Sequence, residues 1–88
     1  MEIIFTKNFL KILEKTKNDL LLEKIKETIV NIENVTTVSD ILNVKKMTGY
    51  QTYYRIKVGN YRIGFELLEN TCKLLTVLHR KDIYKKFP

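Results

Sequence analysis

This sequence is poor in the residues that staple small proteins or hold metals. It has one cysteine and one histidine in 88 residues. A single Cys72 forms no internal disulfide, and the opening Met1-Glu2-Ile3-Ile4-Phe5 lacks the charged-then-apolar profile of a signal peptide, so a reducing cytoplasm is the expected setting. One His with one Cys supplies no zinc ligand set, and the acidic residues are scattered rather than clustered as a magnesium-dependent nuclease requires. No apolar run is long enough to span a bilayer, and there is neither an internal repeat nor a low-complexity segment. No metal, cofactor or membrane partner is therefore expected.

What the chain does have is positive charge in one half. Residues 1–44 carry six Lys against seven acidic residues, and residues 45–88 carry ten Lys and Arg against three. The halves thus balance at −1 and +7, for a net charge of +6. Such asymmetry favours a polyanionic partner, usually nucleic acid. A chain of 88 residues holds one modest core, so residues 1–88 are expected to form a single domain.

Periodicity gives the elements. Glu2 to Phe5 has strand character, and Thr6 suits the cap of a following helix. Phe9, Ile12, Leu13 and Thr16 recur at helical spacing. After a turn near Lys17-Asn18 a longer helix is marked by Leu21, Ile25, Ile29 and Ile32, with Leu22, Thr28 and Val30 widening the stripe. Residues 33–50 read as connection and loop, with Lys45-Lys46 inside it. Two alternating runs then flank Gly59-Asn60, and a third strand-like run, Lys73 to His79, follows the Glu69-Asn70-Thr71 turn. The tail from Arg80 to Pro88 suits one helical turn closing on Tyr84 and Phe87. This order predicts an α+β fold: one N-terminal strand, two helices, then a three-stranded antiparallel meander, with the helices on one sheet face and the other face partly open.

The hairpin carries a register. With Gly59 and Asn60 as loop residues, Lys57 opposes Arg62, Ile56 opposes Ile63 and Arg55 opposes Gly64, so Arg55, Lys57 and Arg62 share the face opposite Ile56, Val58, Ile63 and Phe65. Like charges opposed on a ladder are destabilising. Packing alone would not choose Lys57 against Arg62, and the pair is expected to meet an anion. With Asn70-Thr71 as the second turn, Arg62 opposes His79, which brings His79 onto the cationic face, and Gly64 leaves an opening beside Arg55.

The run Tyr54-Arg55-Ile56-Lys57-Val58-Gly59-Asn60-Tyr61-Arg62-Ile63, together with His79-Arg80-Lys81-Asp82-Ile83-Tyr84, resembles the toxins of type II toxin–antitoxin systems in the RelE/ParE superfamily. The likeness is greater to the RelE-like messenger-RNA endonuclease branch and covers Met1 to Phe87. It implies a RelE-like fold in which Arg55, Lys57, Arg62, Arg80 and Tyr84 surround the scissile phosphate. The best-known RelE members have Lys where this chain has Arg55. Arginine stays protonated, which casts Arg55 as a phosphate clamp and leaves proton transfer to Lys57, His79 or Tyr84. The resemblance also implies two partners: a small cognate antitoxin whose acidic residues face the cations, and messenger RNA in the ribosomal A site.

Such residues suit metal-independent cleavage, in which the RNA 2′-hydroxyl attacks the adjacent phosphate while a base, an acid and cations assist. Lys57, flanked by Arg55 and Arg62, is expected to shuttle a proton while Arg62 and Arg80 hold the phosphate. Two other classes stay open: a ParE-like inhibitor of DNA gyrase with the same fold and no nuclease activity, and a non-catalytic module that binds RNA or a protein.

Overall fold

Each long helix begins where the sequence supplies a cap. In the computed structural model, which describes residues 1–88, α1 spans Lys7–Lys15 and the Thr6 hydroxyl accepts from the Phe9 N–H at 3.2 Å. The same hydroxyl donates to the Leu74 carbonyl at 2.7 Å, so one side chain both starts the helix and ties it to the sheet. Helix α2 spans Asp19–Asn34, with the Asn18 side chain accepting from Leu21 N–H at 3.1 Å and Asp19 in the first turn, where negative charge complements the helix dipole. Its stripe is the expected one: Leu21, Ile25 and Ile32 are buried and Ile29 packs against them. Val30, expected to widen the stripe, is instead half exposed. At the far end the N-terminal ammonium of Met1 donates to the carbonyls of Ile32 and Val35, at 3.0 and 2.6 Å, and so satisfies the end of α2.

The sheet has five strands: β1 Glu2–Phe5, β2 Val44–Lys46, β3 Tyr53–Val58, β4 Tyr61–Leu68 and β5 Thr71–His79, in the spatial order β1-β5-β4-β3-β2. The meander β3-β4-β5 is as predicted. β1 lies parallel to β5, and β2 is a short edge strand in the stretch read as loop, paired antiparallel to β3. Helices α1 and α2 cover one face over a core that includes Phe9, Ile25, Ile32, Ile56, Ile63, Phe65 and Leu74. No helix is long and apolar enough to cross a membrane.

The β3–β4 register is the predicted one, from Val58↔Tyr61 through Lys57↔Arg62 to Arg55↔Gly64. Gly59 takes φ 61°, the left-handed conformation that the first position of a type II′ turn requires. The β4–β5 register differs from expectation. The turn is Glu69-Asn70, with Leu68 opposite Thr71, and a bulge after Gly64 adds Leu75 to β5. Cys72 and Leu74 are buried on the helix side, the extra residue resets the alternation, and Val77 is buried on that side in turn. His79 consequently pairs with Tyr61 and not with Arg62.

The other sheet face is less open than expected. The tail folds back across it as a single turn, α3 Ile83–Lys86, and Met47, Ile83 and Phe87 form a second small core there with Tyr53, Leu75 and Leu78. The tail closes on Ile83 and Phe87 and leaves Tyr84 61 % exposed, in place of the expected closure on Tyr84 and Phe87.

Replacing Thr6 with Ala removes both the cap and the link to β5, and should lower the unfolding free energy by about 1–2 kcal/mol, measured by urea denaturation.

Candidate functional site

Strand alternation and the two ladders assemble the cations. Across the outer face one row runs Lys45, Arg55, Gly64 and Thr76, and the next runs Lys57, Arg62 and Leu78. Arg80 follows β5, with its backbone N–H donating to the Asn60 carbonyl at 2.8 Å, which brings it beside the hairpin turn. Tyr84 approaches from α3, and its phenol oxygen accepts from Arg55 Nε at 3.4 Å. The structure therefore brings together Arg55, Arg62, Arg80 and Tyr84, with Lys57 opposite Arg62 on the ladder. Lys45 joins them through β2.

His79 is not part of this group. Its pairing with Tyr61 turns it to the helix side, where the two rings meet edge to face at 5.4 Å and its Nδ1 accepts from the Lys81 N–H at 3.2 Å. The expected opening at Gly64 is also absent as open space. A Cβ there would lie 2.9 Å from three ring carbons of Phe87. Tyr53, Tyr54 and Tyr61 all serve packing: Tyr53 meets Phe87 edge-on, Tyr54 stacks on Phe65, and Tyr61 meets His79.

The electrostatics follow from the crowding. Arg62 is held below the usual arginine range by burial first and then by Arg55 and Arg80, with Tyr84 opposing. Its Nη1 donates to the carbonyls of Gly59 and Tyr61, at 3.0 and 2.9 Å, which fixes the guanidinium over the turn. The Tyr84 phenol is held below the ordinary tyrosine value. The Arg55 hydrogen bond is the main cause, helped by the charges of Arg55, Lys45 and Arg62, while burial works the other way. The side-chain partners of Arg55 and Arg62 are thus a phenol and two carbonyls, none of which neutralises them. Cys72, by contrast, lies in the core, where burial pushes its thiol up to about 11. No three His, Cys, Asp or Glu side chains converge in a way that suits a metal ion.

The site is a surface and not a cavity. Two clefts of about 300 and 210 Å³ lie where α2 meets the hairpin, around Lys24 and Gly59; Lys57 lines the first of them, and neither reaches Arg55, Arg62, Arg80 or Tyr84. A small molecule is usually enclosed on most sides, whereas an open cationic face with an exposed tyrosine suits an extended polyanion.

The sequence and the fold match those of known proteins. A sequence model of the family described as "ParE toxin of type II toxin-antitoxin system, parDE" matches residues 3–84. The chain belongs to the RelE/ParE superfamily of type II toxins. Toxin RelE3 of Methanocaldococcus jannaschii is 43 % identical over 89 residues, covering all of both chains. The RelB-RelE antitoxin-toxin complex from Methanococcus jannaschii matches with a TM-score of 0.76 at 42 % identity, over 97 % of this chain and 99 % of that one. The intact E. coli RelBE complex shares the fold, with a TM-score of 0.68 at 20 % identity over 89 % and 94 % of the two chains.

In this toxin the cation that the sequence reading passed over is Lys45. Its signal was Val44-Lys45-Lys46-Met47, in which apolar residues bracket two lysines, but three strand residues are too few for a period to stand out. Replacing Arg55 with Gln should raise the titration of Tyr84 toward the ordinary tyrosine value, and Lys45→Gln should raise it by less. Both are measured by NMR of carbon-13 labelled tyrosine, with Tyr84→Phe identifying the resonance.

Proposed function

We propose that this toxin is a ribosome-dependent messenger-RNA endoribonuclease held in check by a cognate antitoxin. The observation that carries the reading is the Tyr84 phenol set against Arg55 amid Lys45, Arg62 and Arg80. Cleavage of RNA by its own 2′-hydroxyl requires a base near that hydroxyl and cations on the phosphate as negative charge builds up. A tyrosine whose phenolate is favoured by neighbouring cations is suited to the first task. Arg62, braced on two carbonyls, and Arg80 beside it are suited to the second, with Arg55 as both clamp and partner of the phenol.

To Lys57, opposite Arg62 on the ladder, we assign the proton given to the leaving 5′ oxygen. His79, turned to the helix side, has no part in the step. Lys45 and the exposed lysines of the tail add attraction for the RNA backbone without selecting a sequence. So small a face offers little readout of bases, which favours a message presented and bent by the ribosome. The relatives from Methanococcus jannaschii and E. coli were solved in complex with RelB antitoxins. We infer an antitoxin for this chain as well, with acidic residues directed at the unneutralised cations.

Inducing the chain in a bacterium without antitoxin and mapping messenger-RNA 5′ ends tests the reading. New ends inside translated codons are expected, and they should disappear with Arg62→Ala and Arg80→Ala. Growth arrest with damaged DNA and intact message would move the assignment to gyrase inhibition, the activity of the ParE branch. Tyr84→Phe should slow cleavage by roughly a hundredfold or more if the phenol is the base, and far less if the ring only stacks on a nucleotide. Lys57→Met should slow cleavage with little effect on binding to ribosomes; an unchanged rate would remove Lys57 from the proton-transfer step. With Tyr84 as base, the wild-type rate should rise with pH through the lowered Tyr84 titration, and Arg55→Gln should move that rise to higher pH.

A further inference from the structure

Gly64 sits mid-strand on β4, where glycine weakens a strand because it gains no packing and loses more chain entropy on folding. Its backbone does not call for glycine, since the positive-φ glycines are Gly49 and Gly59. What calls for it is the ring of Phe87. A Cβ at Gly64 would stand 2.9 Å from Cε1, Cε2 and Cζ of that ring, closer than packed carbons come. The notch takes the ring, and Tyr53 closes over it edge-on, with ring centres 5.7 Å apart at 90°.

The tail has few other holds. Helix α3 is one turn, too short to persist without tertiary packing. Its burial rests on Ile83 and Phe87, which meet Met47 in the second core, and the Phe87 N–H closes the turn on the Ile83 carbonyl at 3.0 Å. Tyr84 lies between these two anchors and is itself largely exposed. Its contact with Arg55, at 3.4 Å, is near the outer limit of a hydrogen bond, so a shift of a few tenths of an ångström breaks it.

We propose that Phe87 is a positioning residue, and that its ring, seated in the notch at Gly64, fixes where Tyr84 stands against Arg55. The role in cleavage rests on the endoribonuclease reading above; the mechanical role does not. A methyl group at residue 64 lifts the ring, the ring carries α3 with it, and Tyr84 leaves the guanidinium. The phenol then loses the partner that favours its ionised form, and the 2′-hydroxyl loses its base. The main core under α1 and α2 is untouched by either change, because Phe87 belongs to the separate cluster on the opposite sheet face.

The test compares Gly64→Ala, Phe87→Ala and Phe87→Leu with the parent chain, using carbon-13 tyrosine NMR across pH and the rate of message cleavage on ribosomes. Both alanine variants should keep the parent's circular dichroism and raise the Tyr84 titration toward the ordinary tyrosine value. Cleavage should fall on the order of tenfold to a hundredfold. Phe87→Leu placed in the Gly64→Ala background should recover part of both losses, because the smaller side chain leaves room for the methyl. A Tyr84 titration unchanged in folded Phe87→Ala overturns the proposal, as does a moved titration with an unchanged cleavage rate. Should the alanine variant unfold, Phe87→Leu alone decides through the same titration. If the parent chain itself cuts no message, the endoribonuclease reading fails while the titration still decides whether Phe87 holds Tyr84.

Discussion

The register of the β3–β4 ladder is the constraint on which the rest depends. A two-residue turn at Gly59-Asn60 leaves one pairing that buries Ile56, Val58, Ile63 and Phe65 together beneath the helices. Slipping one strand by one residue would turn its own apolar pair outward, Ile56 and Val58 of β3 or Ile63 and Phe65 of β4, and bury Arg55 and Lys57 or Arg62 in their place, at a cost no small core survives. The hydrophobic side of the sheet thus dictates where the cations go. Their crowding is accepted as a by-product of a register fixed from the other face, and it becomes the means of holding an anion.

The second sheet face is divided between two tasks. The tail packs through Ile83 and Phe87 on an apolar patch of Met47, Tyr53, Leu75 and Leu78, and beside that patch Lys45, Arg55 and Arg62 leave the face cationic and open. Tyr84 stands on the boundary, carried by the apolar half and directed at the charged half. A group held this way is ordered without being enclosed, which suits a site that must admit a polymer chain yet keep one phenol in place.

The helices, the first hairpin and its three cations were legible in the sequence because each rests on a local rule: a cap at Thr6, a 3.6-residue stripe in α2, and a glycine at a mirror-image turn. The misreadings share a different origin. The β4–β5 register turns on a bulge at Leu75, whose only trace was the change in spacing from Cys72-Leu74 to Leu74-Val77, and that change moved His79 off the site. The turn itself uses Glu69 at φ 55°, a conformation in which glycine or asparagine would have announced it. β2 is three residues long and becomes a strand only by pairing with β3, so Lys45 could not be placed from its neighbours. The filling of the Gly64 notch by Phe87 joins residues 23 positions apart in sequence, and no local pattern encodes it.

The cations that no carboxylate neutralises have a consequence for the free protein. Folding draws Arg55, Arg62 and Arg80 together against their mutual repulsion, and any anion that settles among them relieves it. By mass action such an anion also favours the folded chain over the unfolded one. The empty toxin is therefore the least stable form of the molecule, and its melting temperature is a gauge of how fully the face is occupied.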